Sequence, residues 1–497
     1  MSRVVVNNSI SNNIEYYNKL YFDNCSFLSA IVFIIIEGDF MKAINFENLN
    51  ELTVQAFIDN SWKDIAKITF PNNANYTYDI SEVDYEFDYA IDHLSEDDHH
   101  AVSINHPVEL FFDGNGQRGW LKFIDDIIPS GSSRKYWLTQ IDTEGMSSNQ
   151  QKFVLLAYGT ISPIGNLRIK ESIETVDEVP AQYFQVSEVT SRAADFLSYA
   201  QTRGAAAAGA TGAGGEAPKL LLRRSKDDLV WIDTYQENIN VDDMYYLVKF
   251  PRGNKRGVND AVLVTEYHYY HELTDMGFIT IPVANMKLEQ GENYHSLWLP
   301  RFDIETQADG TTKRYGMESV YSMLRKQPGA ILDHGETIRD LITLITESNT
   351  VKEKKLHFDV EVFIIEWVRR DLLNIAFGNS DNHGRNTSFY KDEKGIRLTP
   401  IYDFAPMKAD PEGVPRTTKW AAPALELGGA FNFVEIAYSL SDLIEPEHLL
   451  SELKATARQL VGLKQRLIVR GVPEQIVNMP AIGFDFLDEK LEQWGLL

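Results

Sequence analysis

Apolar and polar positions alternate along the first third of the chain. Leu52-Thr53-Val54-Gln55-Ala56-Phe57-Ile58 repeats with period two and runs into Asp59-Asn60-Ser61, whose short polar side chains favour a turn. Residues 62–70 have the same strand character, and Asn72 to Asn75 punctuate them. The stretch 107–112 ends in Asp113-Gly114-Asn115-Gly116, and apolar runs at 153–156 and 167–169 flank Pro163-Ile164-Gly165-Asn166. The pattern over 50–170 is therefore mainly β. Residues 187–202 change to helical period, with Val189, Ala193, Phe196 and Leu197 on one stripe.

A Gly/Ala-rich stretch at 204–215 is the one low-complexity segment. It reads as a flexible linker, or as a phosphate-covering loop in which missing side chains let backbone N–H groups approach an anion. Two strand candidates follow, 219–223 and 244–250, the second stopped by Pro251-Arg252-Gly253. With period two, Lys249 shares a face with Leu247 and Tyr245. Asn259 is placed as the cap of a helix that runs to about Met276, with Gly277 just past its end. Val262, Tyr269, Tyr270 and Leu273 form its apolar stripe. Glu266 falls on that stripe, and a carboxylate on a buried face needs a partner. Beyond about 316 the chain reads as mostly helical, over 317–325, 336–347, 358–377 and 447–470.

Composition narrows the classes. The chain has 497 residues, 44% hydrophobic and 24% charged, which suits two or three globular domains. A net charge of −25 argues against direct nucleic-acid binding or attachment to anionic membranes. The single cysteine, Cys25, cannot form an intramolecular disulfide, and the chain is assigned to the cytoplasm. An apolar run at 27–36 is shorter than the roughly 20 residues of a membrane span. Met41 opens the globular pattern and is read as the start of translation. A disordered tail or a weak surface anchor are the other readings of residues 1–40.

The candidate chemistry lies in Gly378-Asn379-Ser380-Asp381-Asn382-His383-Gly384-Arg385-Asn386. Asp381 and Asn386 form D-x-x-x-x-N, and Asp403 follows within Ile401-Tyr402-Asp403-Phe404. That is the order of the base and the two metal ligands in protein kinases. Phosphoryl transfer needs a cation on the phosphates, for which Lys249 is placed, and Glu266 to hold that lysine. It needs hard oxygen ligands for a divalent metal, Asn386 and Asp403, and a carboxylate to take the acceptor's proton, Asp381. Each residue alone has a plainer role: a solvated lysine, a rotated helix position, turn-forming Asp and Asn, a structural imidazole at His383. Their occurrence together, in kinase order, gives the reading its weight.

The block from Gly378 to Phe389 resembles the N-x-D-x-H-x-x-N-x-S signature of HipA-type serine/threonine kinases, toxins of bacterial toxin–antitoxin modules. Leu398 to Asp403, Arg301-Phe302-Asp303 and Pro163 to Leu167 add to the likeness, and Ala213 to Lys219 resembles the loop of the YjjJ-like branch. The resemblance implies an α+β fold, with a β-rich N-terminal domain on a two-lobed protein-kinase-like domain whose C-lobe is helical. The corresponding division is an N-terminal extension at 1–40, a β-rich domain at 41–190, an N-lobe at 191–302 and a C-lobe at 303–497. It implies ATP and Mg2+ as cofactors. Asp381 would be the catalytic base, Asn386 and Asp403 the metal ligands, and Lys249 the phosphate-binding lysine. Thr211, Gly212, Gly214 and Gly215 would form the loop over ATP, backbone from Trp298 to Pro300 would meet adenine, and Phe302 and His383 would complete the ATP site. Thr211 stands where relatives carry an autophosphorylated serine, and Pro300 where they often carry a charged residue. The implied partners are a protein substrate, such as an aminoacyl-tRNA synthetase, and a helix-turn-helix antitoxin. A pseudokinase or nucleotide-gated binding module and a small-molecule or lipid kinase remain the other readings.

Overall fold

The computed structural model describes residues 35–36, 39–40, 51–70, 82–110, 120–140, 146, 148–174, 182–192, 196, 219–233, 242–252 and 257–497. Met41, the Gly/Ala-rich stretch and the ATP-loop candidates Thr211, Gly212, Gly214 and Gly215 lie outside these residues.

The first sheet grows from the alternating segment. β1 (Glu51–Ile58) pairs antiparallel with β2 (Ser61–Thr69), β2 with β3 (Glu82–Tyr85), and the other edge of β1 with β4 (Leu167–Ile169). Ile58 faces Ser61 across a two-residue loop, Asp59-Asn60, both with positive φ (51° and 59°). That geometry matches the right-handed twist of the strands, and Asp and Asn tolerate it better than most side chains. Leu52, Val54, Ala56, Ile65 and Ile68 are fully buried against Phe153, Leu155 and Leu156 of α1 (Ser148–Gly159). Here the expected β character of 50–170 is corrected. Helices Phe87–Asp92, Ile124–Ile127, Gly131–Gln140 and Lys170–Glu174 join α1 in this region, and no strand forms over 107–110. A short continuous apolar run fits a buried helix as well as a strand, and period alone does not separate them.

The second sheet is six-stranded and antiparallel. It contains β5 (Phe184–Gln185), β6 (Lys219–Arg224), β7 (Leu229–Ile232), β8 (Met244–Lys249), β9 (Lys287–Gln290) and β10 (His295–Pro300), in the order β9-β10-β8-β6-β7-β5. A helix follows β5 over Val186–Thr190, and Arg192 turns to φ 50° after it. Most of the remaining expected helical stretch lies outside the described residues. Between β8 and β9 runs α2 (Val258–Asp275), whose Tyr269, Tyr270 and Leu273 are fully buried. Its N-cap is Gly257, not Asn259, which sits in the first turn.

The remainder is largely helical, with one large core running through α3 (His334–Glu347), α4 (Val360–Ala376), α5 (Pro446–Leu460) and α6 (Leu463–Arg470). The expected single helix over 447–470 is two, because Gly462 takes φ 70° between them. The expected helix over 317–325 is instead β11 (Gly316–Ser319) followed by a single turn, Val320–Met323. β11 joins β12 (Ser388–Asp392) and β13 (Gly395–Leu398) in a three-stranded sheet. No helix among the described residues is long and apolar enough to cross a membrane.

Two sequence motifs meet at the join of these parts. Arg301 donates to Asp303 (2.9 Å) and to Asp233 (2.6 Å), all fully buried or nearly so. Asp303 Oδ2 accepts the backbone N–H of Gly165 at 2.8 Å, and the Pro163 carbonyl accepts from Arg301 at 3.3 Å. The Arg-Phe-Asp motif thus clamps the Pro-Ile-Gly-Asn turn of the first domain onto the strand end of the second sheet. Buried charges of this kind are tolerable only when each has its partners.

Candidate active site

Lys249, the last residue of β8, is paired in register with Lys219, the first residue of β6. Directly opposed antiparallel residues point to the same face, so two ammonium groups are held side by side, an unfavourable arrangement without counter-charge. Two carboxylates supply it. Lys249 Nζ donates to Glu266 Oε1 at 2.6 Å and bonds Asp403 Oδ1 more closely still, while Lys219 Nζ lies 3.2 Å from Asp403 Oδ2. Tyr270, one turn along α2, donates its hydroxyl to the same Glu266 oxygen at 3.0 Å and fixes that carboxylate. Burial alone would strip the proton from Lys249, but Asp403 and Glu266 outweigh it and hold the ammonium above its usual range. At Lys219, burial wins and pulls the pKa down, with Asp403 opposing.

Asp403 adopts φ 52°, a left-handed conformation that costs a non-glycine residue on the order of 1 kcal/mol. Burial would raise its pKa, yet Lys219 and Lys249 keep it well below the ordinary carboxylate range. It is therefore an anion at neutral pH, facing the cleft.

The loop after α4 presents the remaining groups. Asn382 anchors it by accepting the N–H groups of Thr417 (3.1 Å) and Thr418 (3.3 Å) and donating to the Thr418 carbonyl (2.7 Å). Gly384 is required by space: a Cβ there would come within 2.7 Å of the Tyr321 ring and 3.0 Å of Leu332. Asn386 donates its amide to the Asp381 carbonyl at 2.8 Å, which leaves its Oδ1 as the atom a cation would use. The Asp381 carboxyl is pushed up to about 7, first by burial and then by the negative charge of Asp403.

His383 is buried behind Asp381 and is absent from the cleft lining, where the sequence reading had put it. Its Nδ1 accepts the Arg385 N–H at 3.2 Å, so Nε2 carries the hydrogen and faces Asp381 Oδ1 at 3.5 Å. Burial lowers its pKa to about 4, so the ring is neutral at pH 7.

Lys219, Lys249, Asn386 and Asp403 border one cleft. Leu247, Leu299, Pro300 and Phe302 form an apolar wall, and Phe123, Ile127 and Ile164 of the N-terminal part close another side. Trp298 is different: its side chain is fully buried against Tyr246 in the core on the other face of the sheet. Its backbone is the last of β10 to pair with β9, so a free strand edge begins only at Leu299, and Pro300 can offer a carbonyl but no N–H. Asn386 also borders a smaller recess with Asp381, Asn382 and Thr387. The structure thus places Lys249, Asn386 and Asp403 on the cleft, Glu266 behind Lys249 and Asp381 in the adjoining recess, and leaves the side chains of Trp298 and His383 off both. Sequence reasoning missed Lys219, although it lay in a recognised strand candidate. Only the pairing register puts it opposite Lys249. Of the N-terminal residues of the cleft, Ile164 lay in the Pro163 to Leu167 motif, whereas Phe123 and Ile127 carried no sequence signal.

These features define a kinase-like two-lobed fold with an N-terminal domain against its cleft. The HipA-like C-terminal domain family matches residues 211–462, just over half of the chain, and the chain belongs to that family. HipA of Shewanella oneidensis MR-1, solved with HipB and operator DNA, superposes with a TM-score of 0.60 at 16% identity, covering 89% of this chain and 97% of that one. The candidate kinase Y4mE of Sinorhizobium fredii is 24% identical over 140 residues; the match spans 28% of this chain and only 31% of that protein.

Proposed function

We propose that this chain is an ATP-dependent protein serine/threonine kinase of HipA type that requires Mg2+ and acts in the cytoplasm as a growth-arresting toxin on a translation-related protein. The observation that carries the proposal is the Lys249–Glu266 pair joined to Asp403, with Lys249, Asp403 and Asn386 on one cleft and Asp381 in the recess that shares Asn386 with it. The donor set fits a metal–nucleotide. Two ammonium groups suit phosphate oxygens, and a carboxylate with a carboxamide oxygen suits a hard divalent cation.

Lys249 and Lys219 would hold the phosphates, and Asn386 and Asp403 the metal. Bound ATP and Mg2+ supply the phosphoryl group and neutralise the charge that develops on it. Leu247, Leu299 and Phe302 offer an apolar slot for a base, next to the free edge at Leu299 and Pro300. Asp381 orients an incoming hydroxyl and takes its proton, and a pKa near neutrality suits that work. The neutral His383 ring stands behind Asp381 and limits its rotation. Thr211, Gly212, Gly214 and Gly215 are proposed as the covering loop, with Thr211 as a self-phosphorylation acceptor. We further propose the division at 190 and 302. A small helix-turn-helix antitoxin is the proposed partner, by analogy with HipB in the Shewanella complex, and the acidic chain itself leaves nucleic acid to that partner.

The test couples chemistry to phenotype. Induced expression of the wild-type chain should arrest bacterial growth and yield phosphoserine or phosphothreonine on a host protein, and D381A should do neither. Equal arrest by both would refute the toxin-kinase reading.

A further inference from the structure

Outside the cleft, residues 93–100 hold three histidines and three acidic side chains in eight positions. The helix Phe87–Asp92 stops at His93, Ser95 turns to φ 68°, and the Glu96 N–H donates back to the His93 carbonyl at 3.0 Å. This reversal lays His100 over His93, with ring centroids 4.1 Å apart and planes 20° from parallel. Both imidazoles aim Nδ1 at a single oxygen, Glu96 Oε2, at 3.1 Å from His93 and 2.6 Å from His100. Asp98 Oδ1 stands 2.8 Å from His100 Nδ1. His99 packs against His100 at 3.9 Å, and its buried Nδ1 has no hydrogen-bond partner among the described residues, lying 3.5 Å from Asp98 Oδ1.

We infer that this turn is a binding site for a divalent transition metal, held by His93 Nδ1, Glu96 Oε2 and His100 Nδ1. The three donor atoms already lie within 4.8 Å of one another, so binding asks for small side-chain rotations rather than a new backbone. Two imidazole nitrogens with one carboxylate form a donor set that zinc, cobalt and nickel accept and that magnesium and calcium, which prefer all-oxygen shells, do not. Asp98 Oδ1 approaches the same His100 Nδ1 and would give up that contact when the nitrogen takes the metal. Lys354 is the competing cation: its Nζ lies 3.0 Å from Glu96 Oε1 and 2.6 Å from Asp98 Oδ2. It uses the other oxygen of Glu96 and leaves Oε2 to the imidazoles.

The position gives such a metal a purpose. Asp97, in the middle of the turn, accepts the backbone N–H groups of Asn349 (2.6 Å) and Thr350 (2.9 Å), and the Ser95 carbonyl accepts the Asn349 amide (2.8 Å). The turn is therefore where the N-terminal domain grips the helical lobe, and a metal there stiffens the grip without entering the catalytic cleft.

The test uses full-length, tag-free protein stripped with EDTA and titrated with Co2+ and then Zn2+. Visible Co2+ absorption of a nitrogen- and oxygen-ligated ion, about one equivalent bound, and a higher melting temperature with Zn2+ are expected. H93Q and H100Q should each weaken binding by roughly tenfold or more, with melting in EDTA unchanged. E96Q repeats the measurement should either histidine variant fold poorly. Metal binding of wild-type strength in all variants that fold, or no binding by the wild-type chain, would overturn the inference.

Discussion

Asp381 and its charged neighbours set how activity should respond to pH. Its pKa is raised to about 7, so the proposed base is increasingly protonated, and would be idle, below that pH. kcat/KM for ATP, which reports the free enzyme, should fall as pH drops through about 7. Lys219 pulls the Asp381 pKa down, so K219M should shift this limb to higher pH, as well as raise KM for ATP. A limb that stays in place would remove Lys219 from the site. The same residues show what a sequence exposes. Lys249 and Glu266 were legible because period two on a strand and period 3.6 on a helix each place a charge on an apolar face, which demands explanation. Lys219 was not, because its role depends on a register between strands about 30 residues apart. His383 had two readings, an ATP-site residue and a structural imidazole, because its place in a signature block does not say whether it faces the cleft or lies behind Asp381.

Elements are where buried charge and close approach decide stability. R301M would leave Asp303 and Asp233 short of a partner in a dry site, which typically costs about 3–5 kcal/mol. Urea denaturation should show that loss, and a change under 1 kcal/mol would mean the clamp between Gly165 and Asp303 holds without it. G384A forces a methyl group onto Tyr321 and Leu332, at a cost of about 1–3 kcal/mol. Because Gly384 lies between Asp381 and Asn386, phosphorylation should suffer more than melting temperature, and assays of both on one preparation separate the two effects. Element type was legible wherever the period was long, as in α2 and α4. It failed over 50–170, where a short buried helix such as α1 presents the apolar run of a strand. It failed again at 317–325, because β11 exists only through its pairing with β12, some 70 residues on.

For the whole molecule, the seam between the N-terminal domain and the rest contributes to the pH dependence of stability. Asp126 accepts the Ser319 N–H (2.8 Å) and hydroxyl (2.6 Å) across that seam, and burial pushes its pKa up to about 6. The folded chain holds this proton more tightly than the unfolded chain, whose Asp titrates near 3.9. The resulting stabilisation is complete below about pH 4 and is lost as pH rises through 6. D126N should show a shallower decline than wild type between pH 4 and 6 in thermal melts, and a decline matching wild type would place its origin elsewhere. The seam was invisible to sequence reading, since it joins segments almost 200 residues apart.

The central claim is that these residues transfer phosphate. Its most direct measurement is transfer of the γ-phosphate of ATP to protein hydroxyls by purified chain with Mg2+, for wild type and D381A side by side. The site described here predicts incorporation by wild type and a loss of at least roughly 10²-fold in D381A. Equal incorporation by both, or ATP binding by the wild-type chain without any transfer, would contradict it.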